Sequence, residues 1–224
     1  MNSAVECQRV DLKGLLPVEV DALMSDLGQP SYRTRQIFDW IYAKGVGQID
    51  EMTNLSKAFR AELEQVAYIG RLHEVARQES QTGEAVKFLF ELPGGERVES
   101  VLIIDGVRRT VCLSSQVGCP LDCKFCATGR MGLVRNLSAG EIIDQLLQVE
   151  AYARGSGKGV TNVVMMGMGE PLLNYDPLVR ALKLMRLEEG VGLGGRRITV
   201  STAGYVPGIR KLAHEDLNVG LAIS

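Results

Sequence analysis

The chain has 224 residues, of which 46% are apolar and 23% charged, and its formal net charge is −2. That balance supports a buried core and excludes a mainly disordered chain. It also excludes a nucleic-acid binder working through overall charge, so any RNA contact must come from local patches.

No apolar run reaches the roughly 18–20 residues of a membrane helix. The N-terminus, MNSAVECQRV, lacks the basic start and apolar stretch of a secretory signal. A cytoplasmic protein with reduced thiols is therefore expected. In chain order, LPVEVDALMSDLG spaces Leu16, Val20, Leu23, Met24 and Leu27 as a helix and stops at Gly28. RTRQIFDWIYAKG repeats the pattern up to Gly45, and NLSKAFRAELEQ gives a third helix with Asn54 or Ser56 as its cap. These helices predict a small domain over residues 1–75. Arg33, Arg35, Lys57 and Arg60 could form a basic face there, and a solvated surface is the plainer reading. Trp40 falls within the apolar pattern and reads as core.

The period changes next. VKFLFEL and RVESVLII flank the turn PGGE and predict a β-hairpin within a connecting segment, residues 76–106. Glu99 lies in its second strand, where a carboxylate ordinarily faces solvent. From residue 107 to 224 strand and helix alternate. RTVCLSSQVG reads as a strand leading to a cysteine loop. SAGEIIDQLLQVEAYARG is a helix opened by the capping box Ser138–Glu141. GVTNVVMMGMGEP is a strand and glycine-rich loop. DPLVRALKLMRLEEG is a helix with Asp176 as cap and Pro177 in first position. RRITVSTAG, VPGIRKLAHED and NVGLAIS supply a strand, a short helix and a fourth strand. Alternation with apolar, β-branched strands predicts a parallel α/β fold, either a barrel or an open wound sheet.

In such folds the working residues gather at the C-terminal ends of the strands. The cysteine loop, MGMGEP, STAG and Ser224 all fall there, which predicts one site. Within GCPLDCKFCATG the spacing of Cys119, Cys123 and Cys126 is C-x₃-C-x₂-C. A structural zinc site wants four ligands, usually as two pairs, and a disulfide framework wants an even count in a short secreted chain. Three close thiolates suit three irons of a cubane cluster whose fourth iron stays open, where four cysteines are the usual set. Three chance cysteines, or half of a zinc site, are the alternatives. His73 and His214 form no metal-like pair.

The motif C-x₃-C-x₂-C, with Phe125 before its last cysteine, is similar to that of radical S-adenosylmethionine enzymes. YRTRQIFDWIY, MTNLSKAFR, VCLSSQVGCPLDCKFCATG, NVVMMGMGEPLLNYD and RRITVSTAGYVPGI resemble, more narrowly, the dual-specificity adenosine-C2 RNA methyltransferases. The resemblance implies a partial parallel (β/α) barrel of the radical S-adenosylmethionine type, with an N-terminal helical accessory domain that helps engage RNA. It implies one [4Fe-4S] cluster on Cys119, Cys123 and Cys126, and S-adenosyl-L-methionine bound at Gly169, Glu170, Ser201 and Ser224. Gly169 permits close backbone approach, and Glu170 offers an acceptor for the cofactor's ammonium.

The resemblance further implies that Glu99 accepts the adenine C2 proton, and that Cys112 resolves a covalent enzyme–RNA adduct through a transient disulfide. Cys7 matches nothing. The implied substrates are large-subunit ribosomal RNA and transfer RNA. A donor such as a flavodoxin system would supply electrons, and the complete protein is expected to be a monomer. The family's methyl-carrying cysteine and last two barrel strands lie beyond the position matched by Ser224, so a C-terminally truncated chain, inactive alone, is the expectation. The rivals are another radical S-adenosylmethionine enzyme, an inactive fragment and a non-enzymatic metal-binding module.

Overall fold

The computed structural model describes residues 9–224, so Cys7 lies outside the described residues. β1 (Val10–Asp11) leads into α1 (Pro17–Asp26), which buries Val20 and Met24. Pro17 opens that helix, where its missing N–H costs nothing. Gly28 follows it at φ +62°. α2 (Tyr32–Phe38) continues into a π-helical turn over Asp39–Ala43. There the Phe38 and Tyr42 rings stack with centroids 5.2 Å apart. Ser56 caps α3 (Lys57–Val66), its hydroxyl accepting from the Phe59 N–H at 3.2 Å. β2 (Ala67–Tyr68) pairs in parallel with β1 and closes this region. Trp40 is partly buried and donates to Asn54 Oδ1 at 2.5 Å.

The anticipated basic face is largely consumed internally. Arg33 stacks over Tyr32 and donates to Gln36 at 2.7 Å, and Arg60 is buried against Asp50. Arg35 and Lys57 are the two that stay exposed.

β3 (His73–Glu79), β4 (Ala85–Glu91), β5 (Arg97–Asp105) and β6 (Arg108–Cys112) form an antiparallel run. The predicted hairpin is β4–β5. β3 was not foreseen, because HEVARQE is too polar to read as a strand; it lies at the sheet edge, where charge discourages pairing with other chains. The stretch RTVCLSSQVG is not one strand. β6 ends at Cys112, and β7 (Gln116–Gly118) pairs instead with β8 (Leu133–Asn136) in a separate two-stranded sheet framing the cysteine loop.

α4 (Ala139–Gly155) opens with the expected Ser138–Glu141 capping box. β9 (Asn162–Met165), α5 (Tyr175–Arg186), β10 (Ile198–Thr202), α6 (Val206–Leu212) and β11 (Gly220–Ile223) complete the alternation. The cap of α5 is Asn174, not Asp176. The Asn174 amide donates to Ser115 O (2.7 Å) and Leu137 O (2.8 Å), which fixes the helix start two residues earlier.

The main sheet has the order β11-β10-β9-β6-β5-β4-β3, with β6, β9, β10 and β11 parallel. This is an open, partial barrel wall. Strand side chains alternate between faces. Val98, Leu102, Val111, Val163, Met165, Ile198 and Val200 are buried on one face. The registers Val101↔Cys112↔Val164↔Thr199 put Glu99, Cys112 and Ser201 on the other, half-exposed face.

A buried polar joint fastens the N-terminal region to α4. Lys13 Nζ donates to Asp144 at 2.5 Å and to Gly70 O at 2.5 Å, and Asp144 also accepts from the Leu72 N–H at 2.6 Å. Tyr42 donates its hydroxyl to Lys13 O at 2.8 Å.

Candidate functional site

The cysteine loop closes where β7 meets β8. Gly118 has φ +73°, and a Cβ there would lie 1.8 Å from Gly132 O, so only glycine lets the two strands meet beneath the loop. The Cys119 N–H donates to Gly132 O and the Cys126 N–H to Cys123 O, each at 3.0 Å. Phe125 is 90% exposed at the rim. Cys119, Cys123 and Cys126 share one cavity of about 330 Å³ with Gly169, Glu170, Ser201 and Ser224. All seven residues expected around the cluster and cofactor therefore meet in one place. A larger cavity of about 490 Å³ lies beside Asp11 and the start of α4; it holds no cysteine, and its Arg135 is already paired with Glu96 and Glu141.

Burial pushes the Cys119 thiol above its ordinary range, and Glu170, Cys123 and Cys126 add to the effect. Three soft sulfur donors beside a carboxylate suit a bound cationic centre, whose charge would favour the thiolate form of each cysteine. Among the described residues no three His, Cys, Asp or Glu side chains converge on a single metal ion. A mononuclear site needs every donor at about 2.3 Å from one point, whereas a cluster takes each thiolate on a different iron. The three cysteines line one cavity, and their soft sulfur donors are of the kind that hold such a cluster. Cys112, Cys119, Cys123 and Cys126 are all free, so the disulfide expected of Cys112 is not present here.

Glu170 is held firmly within the site. It is 4% exposed, and its carboxylate already accepts from the Leu172 N–H (3.1 Å) and the Ala203 N–H (2.8 Å). It ties the loop after β9 to the loop after β10, leaving the backbone of Gly167 and Gly169 along the cavity. Cys112 and Glu99 lie outside the cavity lining, on the same open sheet face. Cys112 hydrogen-bonds the Met166 backbone, and burial raises its pKa. Met166 lines the cavity, so Cys112 borders it. Glu99 is paired with Lys87 Nζ at 3.0 Å. Facing Val101 across the strands, Cys112 is the diagonal neighbour of Glu99, a separation of about 7–8 Å in antiparallel sheets.

Sequence reasoning missed the buried polar residues beneath the site. Ser114, Ser115, Gln116 and Gln145 are each at most 1% exposed. Ser114 Oγ donates to Glu99 O at 2.6 Å and accepts from the Met168 N–H at 2.9 Å. The signal was the polar triplet SSQ interrupting an apolar stretch just before Cys119.

Residues 10–69 match the ribosomal RNA large subunit methyltransferase N-terminal domain, and residues 113–222 match the radical SAM superfamily. The chain is 47% identical to a "Probable dual-specificity RNA methyltransferase RlmN" of Heliobacterium modesticaldum, over 97% of its own length and 58% of that protein. The chain belongs to the RlmN branch of the radical SAM superfamily. A "Dual-specificity RNA methyltransferase RlmN" of Marinomonas sp. is 44% identical over 98% of this chain and 60% of its own length. The crystal structure of a radical SAM methyltransferase from Sphaerobacter thermophilus superposes with a TM-score of 0.90 at 44% identity, covering 96% of this chain and 63% of that one. The chain thus spans about three-fifths of the RlmN proteins it matches, at 58% and 60% of their lengths. No helix among the described residues is long and apolar enough to cross a membrane.

Proposed function

We propose that the chain carries the cluster- and cofactor-binding part of a cytoplasmic radical S-adenosylmethionine methyltransferase acting on C2 of an adenosine in large-subunit ribosomal RNA and in transfer RNA. The observation that carries this reading is the single cavity shared by Cys119, Cys123, Cys126, Gly169, Glu170, Ser201 and Ser224. Cys119, Cys123 and Cys126 hold the [4Fe-4S] cluster. Ser201, Ser224 and the backbone at Gly169 and Glu170 hold S-adenosyl-L-methionine. Bound there, these groups would supply hydrogen-atom abstraction from a methyl group, the radical chemistry by which a methyl carbon can be joined to an aromatic carbon closed to polar methyl transfer.

The chain's own residues handle proton and thiol. Glu99 lies on the open face and accepts the C2 proton. Cys112 sits at the cavity border and supplies the thiol that releases the covalent protein–RNA adduct through a transient disulfide. Burial keeps Cys112 protonated until that step. The segment 1–75 engages RNA, the hairpin segment 76–106 carries Glu99, and 107–224 forms the barrel wall. A flavodoxin-type protein serves as electron donor, and the complete protein is a monomer.

The test is anaerobic reconstitution with iron and sulfide. About four irons and four sulfides per chain are expected, falling sharply in Cys123→Ala. Reductant and S-adenosyl-L-methionine should then yield 5′-deoxyadenosine. A single zinc per chain, or full iron content in Cys123→Ala, overturns the reading.

A further inference from the structure

The loop after β9 hangs on the segment after β6. Three of the four backbone N–H groups from Gly167 to Glu170 donate into it: Gly167 to Leu113 O (3.0 Å), Met168 to Ser114 Oγ (2.9 Å) and Glu170 to Gln116 Oε1 (2.8 Å). In return Met168 O accepts from the N–H groups of Ser115 (2.8 Å) and Gln116 (3.2 Å). The one side-chain amide in this set is Gln116. It is 0% exposed, and its Nε2 donates to Asn136 Oδ1 at 2.7 Å on the strand leaving the cysteine loop. Gly169 is pressed against it at φ +100°; a Cβ there would lie 2.6 Å from the Gln116 Cβ. One glutamine thus joins the strand leaving the cysteine loop to the loop after β9, and both loops line the cavity. An apolar residue of the same length would pack as well and need no partners, since a buried amide is costly unless both ends are used.

We propose that Gln116 is a positioning residue for the cofactor. Its amide sets the spacing between the cysteine loop and the Gly167–Glu170 backbone, so that the wall that receives S-adenosyl-L-methionine is rigid before the cofactor arrives. This rests on the reading of the cavity as a radical S-adenosylmethionine site. Gln116 touches no reacting atom; it acts through Glu170 and Gly169.

The test uses the 224-residue chain with its cluster reconstituted. Four quantities are read: iron and sulfide content, thermal midpoint, the Kd for S-adenosyl-L-methionine by equilibrium dialysis, and the change that the cofactor causes in the electron paramagnetic resonance spectrum of the reduced cluster. Gln116→Met loses both amide hydrogen bonds, so it is expected to keep its iron, to lower its thermal midpoint modestly, and to raise Kd about tenfold, about 1.4 kcal/mol. Asn136→Asp preserves the acceptor and is expected to hold Kd within about twofold, whereas Asn136→Leu weakens binding about threefold, part of one hydrogen bond. An unchanged Kd and spectrum in Gln116→Met overturn the proposal, as does a loss of iron, stability and affinity in step. If Gln116→Met does not fold, Asn136→Leu decides, and unaltered affinity there overturns it. If the unaltered chain takes up cluster yet does not bind the cofactor, the reading of the cavity falls and the inference falls with it.

Discussion

Asp144→Ala is expected to cost far more stability than Lys13→Met, although each removes one end of the same ion pair. Both side chains are 4% exposed. Asp144 accepts from Lys13 Nζ (2.5 Å), the Leu72 N–H (2.6 Å) and Gln148 Nε2 (2.8 Å). Its removal strands a buried ammonium with Gly70 O as its remaining acceptor and orphans the Leu72 N–H. Breaking a buried ion pair this way costs about 3–5 kcal/mol. Lys13→Met also leaves a buried charge, but that carboxylate keeps two donors and the apolar stem is retained, so its cost falls at the lower end of the same range, about 3 kcal/mol, with Asp144→Ala at the upper end, about 5 kcal/mol. The gap of about 2 kcal/mol is a large part of a total stability of about 5–15 kcal/mol. Urea unfolding of both variants at neutral pH, comparing midpoints at constant m, measures it. The double variant Lys13→Met with Asp144→Leu is expected to recover most of the loss. The reasoning fails if Lys13→Met proves as costly as Asp144→Ala, or if both fall within about 0.5 kcal/mol of the unaltered chain, as surface substitutions do.

Two further outcomes can be checked directly. Burial raises the Asp11 carboxyl above its ordinary 3.8, outweighing its hydrogen bonds from the Gly70 and Lys13 N–H groups. Its contribution to stability is present below 3.8 and lost as pH rises through the higher folded-state value. Unfolding titrations are therefore expected to show Asp11→Asn gaining on the unaltered chain as pH rises from about 4 toward neutrality; a gap that shrinks over that range contradicts the assignment. In the cluster-loaded chain, Cys112 is expected to react slowly with iodoacetamide at neutral pH and to accelerate only above its ordinary 9.0, since burial raises it. Peptide mapping that finds Cys112 alkylated as fast as an exposed thiol at pH 7 rules that out.

What the sequence disclosed follows from how local each signal is. The Ser138–Glu141 box and the Ser56 cap are contacts between residues three apart, and both formed as read. The start of α5 was misplaced because Asn174 is chosen by carbonyls 59 and 37 residues away, at Ser115 and Leu137. β3 escaped because an edge strand needs little apolar character. The seven cavity residues were legible as loop ends of alternating strands and as matches to known motifs. Gln116 was not, since its meaning lies in partners at Asn136 and Glu170 that only folding brings near. The tie from the Glu170 carboxylate to the Ala203 N–H was hidden for the same reason, since the two residues are 33 apart in the chain.

The two-residue turn at Gly106–Val107, closed by the pair Asp105↔Arg108, governs where this chain can change length. A single residue inserted into β5 or β6 would exchange inward and outward side chains along the rest of the strand. Glu99 or Cys112 would then point beneath the helices, and a buried valine or serine would face the opening. The loop at 80–84, before β4, carries no such constraint, because its additions bulge outward from an exposed rim. Insertions and deletions in related chains should therefore gather at 80–84 and spare the segment from 97 to 112. A library of single-codon insertions scored for folding and cofactor affinity would draw that boundary without reference to any relative.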